Sequence, residues 1–251
     1  MIFTQLIQTN LRTKELGKYI EYYNRLESTN NEAWELIEEG SQHGTVIVTD
    51  NQTKGKGRRD NLWIMVAGKG LAFSLIIEKQ YPYTCAGLIS LATGISVVES
   101  LNKRGVETKL KWPNDIFEGE KKLGGILCET KIIKNKIEKI VIGVGINVNE
   151  KISEHPENIR DHLTTMLEIS NHAHQRELIA AEFLNSIERL LYELSDKPEQ
   201  IIDKWLNNCL HVNEKISFYE NTKIIEGVFC GLDINGFAKI EMNNKIKTYG
   251  S

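Results

Sequence analysis

The sequence predicts an α+β fold, a mixed β-sheet covered by helices with a small all-β segment after it. Three observations predict it. Apolar, β-branched runs of strand length alternate with stretches of helical periodicity up to about residue 208; the strands near the middle are almost uniformly apolar; and from Val212 onward short strands follow one another across turn signals with no helix between them. The 251 residues, 41% hydrophobic and 26% charged, are enough to bury a full core. We read a larger domain over residues 1–208, its core starting near Tyr19, and a smaller one over 209–251.

Tyr19 to Leu26 reads as the first strand, after a short arm. Ser28-Thr29-Asn30-Asn31-Glu32 opens a helix to about Glu39, with Thr29 and Glu32 as a capping box and Gly40 as its stop. Thr45 to Asp50 is a strand and leads into Asn51 to Asp60, too polar and glycine-rich for a helix or a strand core. Leu71 to Glu78 returns as a strand, Thr84 to Arg104 as a helix ended by Gly105, and Val106 to Lys111 as a further strand. Proline cannot donate a ladder hydrogen bond, so Lys111-Trp112-Pro113-Asn114-Asp115 ends that strand in a turn. Leu123 to Ile133 and Ile137 to Val148 form a central hairpin across Lys134-Asn135-Lys136. After a polar, irregular stretch from Asn149 to about Ile169, Arg176 to Leu194 and Pro198 to Asn208 read as helices over one sheet face. A small barrel then follows, with turns at Glu220-Asn221, Asp233-Ile234-Asn235-Gly236 and Asn243-Asn244.

Charge and cysteine content narrow the function classes. Thirty-one basic against 34 acidic side chains leave a net charge of −3, which gives no overall electrostatic case for nucleic acid or an anionic membrane. No apolar run approaches the roughly 18 to 20 residues of a bilayer span, and Met1 to Ile20 lacks a signal-peptide pattern, so a cytoplasmic location is expected. Cys85, Cys128, Cys209 and Cys230 are too scattered for a zinc site or a disulfide framework. His172 and His174 lack a third ligand at metal spacing and read as solvated surface.

Three segments carry chemistry. Gly55-Lys56-Gly57-Arg58-Arg59 joins glycines, which let backbone amides approach a ligand, to cations that can neutralise phosphate or carboxylate. It lacks the Lys-Ser/Thr ending of a P-loop, and a solvated hairpin tip would look similar. Lys121-Lys122-Leu123-Gly124-Gly125 is a second cationic turn before a buried strand, and Gly143-Val144-Gly145-Ile146-Asn147 places glycines where bulky side chains would fill a ligand space.

These segments, with Glu27-Ser28-Thr29-Asn30, Gln52, Trp63, Lys111 to Asp115 and Ile126-Leu127, stand in an order that resembles the catalytic domain of the biotin protein ligases, in the short class without a DNA-binding domain. The resemblance runs from about Tyr19 to the C-terminus and implies the biotin and lipoate ligase fold, which is class II synthetase-like, closed by an SH3-like barrel. It implies a biotin site of Ser28, Thr29, Asn30, Gln52, Lys56, Gly57, Arg58, Lys122 and Gly125, and an ATP site of Arg58, Arg59, Trp63, Asn114, Lys122 and Asn147. Arg58 and Lys122 would bring the biotin carboxylate and the α-phosphate together, with Mg²⁺ on the departing pyrophosphate through ligands the sequence does not name. Asp115 would orient or deprotonate the acceptor lysine, while Lys111 would stabilise the acyl phosphate or pair with Asp115. The implied partner is the biotin carboxyl carrier protein of a biotin-dependent carboxylase, and a homodimer through sheet edges is compatible with the family. The 52–63 loop is expected to order on ligand binding and shield the adenylate, with Trp63 either covering it or anchoring the loop.

The chain departs from the family pattern at Asp60, where glycine is common, at Met65 and Val66, where a serine-proline pair is common, and at Lys56, a frequent arginine. It also ends at Tyr249-Gly250-Ser251, which implies a short last strand. Two other readings stay open: a lipoate ligase, which shares the fold and the acyl-adenylate logic, and a non-catalytic biotin or nucleotide sensor.

Overall fold

Side chains on a strand alternate between faces, and here that alternation separates a core from a cleft. A computed structural model describes residues 1–194, 196–220 and 223–250, and of Asp60 the backbone alone. In chain order the elements are α1 Thr4–Thr9, β1 Ile20–Tyr23, α2 Thr29–Glu38, β2 Val46–Thr49, β3 Gly55–Lys56, β4 Leu62–Trp63, β5 Leu71–Ile77, β6 Tyr81–Pro82, α3 Ala86–Asn102, β7 Lys109–Lys111, β8 Asp115–Glu118, β9 Lys121–Ile133 and β10 Lys136–Ile146. Then come α4 Met166–Ser170, α5 Arg176–Glu193, α6 Pro198–Asn207, β11 Lys215–Glu220, β12 Lys223–Leu232, β13 Ala238–Met242 and β14 Lys245–Tyr249.

The main sheet has the order β1-β2-β5-β10-β9-β8-β7, with β6 added beside β10; β1 and β2 are parallel and the other pairs antiparallel. As expected, β9 and β10 are central, and Lys134 and Asn135 make their turn at φ 49° and 61°. On one face Leu71, Phe73, Leu75 and Ile77 of β5 and Ile140, Ile142, Val144 and Ile146 of β10 pack with α3, α5 and α6 in the main core. Phe73 meets Phe183 edge-on at 5.0 Å. On the other face Ile76 and Val141 pack beneath Ala33 and Ile37 of α2. The same face then runs into two rows rich in small residues, Ser74 and Gly143 beside Leu127, and Ala72–Gly145–Gly125, across β5, β10 and β9. Apart from the first turn of α2, whose Asn30 lies over Gly143, no helix among the described residues covers these rows, and the cleft lies over them.

Several elements differ from the sequence reading. The arm before Tyr19 is part of the fold: Ile2, Ile7 and Leu16 are buried, α1 packs on α5, and Glu188 accepts the amides of Lys14, Glu15 and Leu16 at 2.7, 2.8 and 2.9 Å. The capping box does not form, because Ser28 is the N-cap, Thr29 bonds to Gln52, and the Tyr23 hydroxyl holds Glu32 at 2.7 Å. Gly40 does end the helix, at φ 88°. The strand over Val106 to Lys111 shrinks to β7, and the irregular stretch after Asn149 contains two 3₁₀ turns and α4. Tyr83–Asn102 is a helix long and apolar enough to cross a bilayer, contrary to the expectation of no such run; it is mostly buried, a core helix surrounded by other elements.

His174 is buried, not solvated, and its Nε2 lies 2.7 Å from Ser170 Oγ. The expected C-terminal barrel is an open four-stranded antiparallel sheet, β11-β12-β13-β14, among the described residues. Strand β14 pairs with β13 along its whole length. Of the turns proposed there, Asn221 lies outside the described residues.

Candidate functional site

The cleft over the small-residue rows has a volume of about 390 Å³. Its floor is built by the start of α2 and the end of β2. Thr29 donates its backbone N–H to Gln52 Oε1 at 2.8 Å, and Thr29 Oγ1 lies 3.1 Å from the same oxygen. Ser74 Oγ lies 2.8 Å from Thr29 Oγ1 and donates to Asn30 Oδ1 at 2.6 Å. Asn30 Nδ2 in turn donates to Glu129 Oε2 at 2.7 Å and to the Leu127 carbonyl at 3.3 Å. Ser28, Thr29, Asn30 and Gln52, which the resemblance assigned to one site, are buried and line the cleft together. Ser74 was missed: it is one serine in an apolar strand, and only strand register brings it beneath Asn30.

Gly143 and Gly145 of β10 line the cleft, and the room they leave is shared with side chains. A Cβ at Gly143 would collide with Asn30 Oδ1, and one at Gly145 with the Trp63 ring. Trp63 thus lies against the sheet, so it anchors the loop as well as lining the cleft. Of the paired glycines, Gly124 is pressed against the Gly145 carbonyl, whereas a Cβ at Gly125 would meet ordinary contacts.

The basic segment folds as a tight hairpin. Strands β3 and β4 pair, Gly57 N–H donates to Asn61 O at 2.7 Å, and Arg59 adopts a left-handed backbone at φ 53°. Lys56, Gly57, Arg58 and Arg59 all line the cleft, Lys56 and Arg59 exposed and Arg58 half-buried. Burial, reinforced by Arg59, pulls the Arg58 guanidinium below its ordinary value, and Asp115 opposes that shift. The Asp60 side chain, expected to lower the potential of the loop, is outside the described atoms.

On the opposite wall, Asn114 is locked into the 111–115 turn: its Nδ2 donates to the Ile126 carbonyl at 2.8 Å and its own carbonyl accepts Ile126 N–H at 3.0 Å. Asp115 pairs with Lys122, Nζ to Oδ1 2.7 Å, across β8 and β9. This is the ion pair that the sequence offered to Lys111. Lys111 neighbours Asp115 across the β7–β8 ladder but turns away, its Nζ over the Phe117 ring at 4.8 Å, and it does not line the cleft. Asn147 does not line the cleft either. It is buried one step past Ile146, its Nδ2 donating to Thr164 O at 3.1 Å.

The C-terminal sheet supplies a wall the sequence did not announce. Phe218, Tyr219 and Glu220 of β11 and Thr248, Tyr249 and Gly250 at the end of β14 reach the cleft. Trp112 meets Phe218 edge-on at 5.4 Å, and Phe218 meets Tyr249 at 5.0 Å. Trp112, taken from sequence to shape its turn, therefore also faces the cleft. The indole N–H groups of Trp63 and Trp112 are buried and have no partner among the described residues, each at a cost of about 1–3 kcal/mol. Among the described residues no group of three His, Cys, Asp or Glu side chains is arranged to hold a metal.

The family model described as the Biotin/lipoate A/B protein ligase family matches residues 22–147, the span that contains the whole cleft floor and both cationic turns. The chain belongs to this family. A curated relative, the bifunctional ligase/repressor BirA of Bacillus spizizenii, is 31% identical over 96% of this chain and 75% of its own. Among solved structures, a biotin protein ligase from Aquifex aeolicus in complex with biotin and ATP is 31% identical at a TM-score of 0.79, over 93% of this chain and 96% of that one. A biotin acetyl coenzyme A carboxylase synthetase from Helicobacter pylori, with bound biotinylated ATP, is 25% identical at a TM-score of 0.62, over 92% and 99%. Both neighbours extend well past residue 147, so the family's architecture takes in the C-terminal sheet as well as the matched span.

Proposed function

We infer that the chain is an ATP-dependent biotin protein ligase, and that its cleft carries both half-reactions. The observation that carries the site assignment is the convergence of Arg58 and Lys122, from two distant segments, on one cleft with a neutral hydrogen-bonding floor. A urea needs neutral donors and acceptors, which Thr29, Asn30 and Gln52 offer; a carboxylate meeting a phosphate needs fixed cations, which the rim offers.

In the first step a biotin carboxylate oxygen bonds to the α-phosphorus of ATP, the α–β phosphoanhydride breaks, and pyrophosphate leaves with the electron pair. Arg58 and Lys122 hold the two anions together, and Arg59 and Lys56 add positive potential at the mouth. Mg²⁺ carried in on the nucleotide would neutralise the departing pyrophosphate; among the described residues no cluster of His, Cys, Asp or Glu side chains is arranged to hold it. In the second step the amine of an acceptor lysine bonds to the acyl carbon and AMP leaves. Asp115 takes the amine proton, and Lys122, drawn to the phosphate, frees it to do so. The acceptor is a lysine of a carboxylase carrier domain. Lys111 points away over Phe117 and the Asn147 amide is turned to the Thr164 carbonyl, so neither is given a part in this scheme.

Biotin-dependent exchange of labelled pyrophosphate into ATP tests the proposal. Exchange with biotin is the expected result. Exchange with lipoate alone would establish the lipoate reading, and binding without exchange would establish a sensor. Mass spectrometry of a carrier domain after incubation with ATP and biotin tests the transfer, and an unmodified lysine would overturn it.

A further inference from the structure

Glu129 does not line the cleft, yet the chain of hydrogen bonds under the floor begins with it. It sits on β9 opposite Val141, one row from the Ser74–Gly143–Leu127 row over which Asn30 lies. Its Oε2 accepts from Asn30 Nδ2 at 2.7 Å and from Trp34 Nε1 at 3.3 Å. A carboxylate offers only acceptors, so Asn30 must turn its amino group to Glu129 and its carbonyl to Ser74. The Leu127 carbonyl enforces the same orientation, and Gly143 leaves the room for it.

The consequence passes along the row. A hydroxyl has one proton, and that of Ser74 is committed to Asn30 Oδ1 at 2.6 Å. Thr29 Oγ1, 2.8 Å from Ser74 Oγ, donates to Gln52 Oε1 at 3.1 Å. Its proton therefore stays inside the protein, and what Thr29 keeps for the cleft is lone pairs. Gln52 Oε1 is tied to the Thr29 N–H at 2.8 Å, which leaves Nε2 as its free donor. The floor thus presents an acceptor at Thr29 and a donor at Gln52, a pattern complementary to the N–H and C=O of a urea.

We propose that Glu129 is a positioning residue that fixes this polarity through Asn30, Ser74 and Thr29, and so sets the specificity of the floor for a urea. The proposal rests on the biotin ligase reading above. Biotin and 2-iminobiotin, in which an imino group replaces the urea oxygen, serve as paired probes in the pyrophosphate exchange assay, with kcat and KM measured separately for each and for ATP. Glu129→Ala should raise the biotin KM about tenfold or more, and cut the preference for biotin over the imino analogue by a similar factor, with kcat and the ATP KM little changed. Glu129→Gln, whose side-chain oxygen can still accept from Asn30, should restore most of both. Ser74→Ala breaks the relay downstream and should lose discrimination while Glu129 is intact. An E129A enzyme with unchanged biotin KM, or with kcat and both KM values degraded together, overturns the positioning role, as does S74A with full discrimination. Absence of exchange in the wild type overturns the ligase reading itself, whereas exchange that is indifferent to Glu129 overturns only this proposal.

Discussion

The floor and the rim of the cleft solve opposite problems. The floor's neutral side chains, Asn30, Ser74, Thr29 and Gln52, are buried and bonded through at every step from the half-buried carboxylate of Glu129. The rim is cationic and half-exposed, carried by a short hairpin and one ion pair, Lys122–Asp115. A neutral ring is recognised by dipoles held in fixed directions, which a packed sheet face provides. An anionic transition state is stabilised by charges that must also let substrates in and products out, which a hairpin and a shared ion pair allow. The difference teaches that affinity for the ring and rate of the chemistry are separable in this molecule.

The largest effect should fall on the rim. Arg58→Ala and Lys122→Ala should each lower the rate of adenylate formation by about 10²- to 10³-fold, read by single-turnover kinetics, while biotin binding measured by calorimetry falls much less. Equal losses in binding and rate would erase the distinction between the two halves. Because the rim is solvated, the residual activity of the wild type should also decline with added salt more steeply than biotin binding does.

A smaller effect is expected where the C-terminal sheet closes the cleft. Phe218→Ala removes two edge-on aromatic contacts, each worth about 0.5–1.5 kcal/mol, and should lower the melting temperature by several degrees and raise the ATP KM without moving the biotin KM. A shifted biotin KM would place this wall with the floor instead.

The smallest effect lies outside both halves, at Glu150. It is fully buried, accepts Val148 N–H at 2.5 Å, and burial pushes its carboxyl up to about 7, against the hydrogen bonds and Arg176 that pull it down. The folded chain then keeps a proton that the unfolded carboxyl releases at its ordinary value, so this group's contribution to stability is present at low pH and lost as pH rises towards and through about 7. Glu150→Gln should flatten the change in melting temperature between about pH 5 and 8. An unaltered profile would refute the assignment, and activity at the rim should not follow it.

Much of the floor was legible in the sequence because it is local: Ser28 to Asn30 open a helix, Gln52 follows a strand, and both stand in short motifs whose resemblance to the family assigned them to the site. The cationic turns were legible for the same reason. What escaped reading arises from pairing distant in sequence. Ser74 and Ala72 matter because of the strands beside them, and Phe218 and Tyr249 because the last sheet folds back on Trp112. Lys111 and Asn147 were placed at the site by their neighbours in sequence, yet the aromatic face of Phe117 and the carbonyl of Thr164 hold them elsewhere. The capping box failed because Tyr23 took the glutamate it required.

Trp63 occupies the volume that a side chain at position 145 would need, so strand and hairpin are the two pieces of one mould. Neither piece can change size alone. Enlarging position 145 would force the indole outward and narrow the chamber, whereas trimming Trp63 at the same time would restore clearance with a different contour. Because Trp63 also anchors the hairpin that carries Lys56, Arg58 and Arg59, any exchange of bulk between the two positions would shift those cations as well.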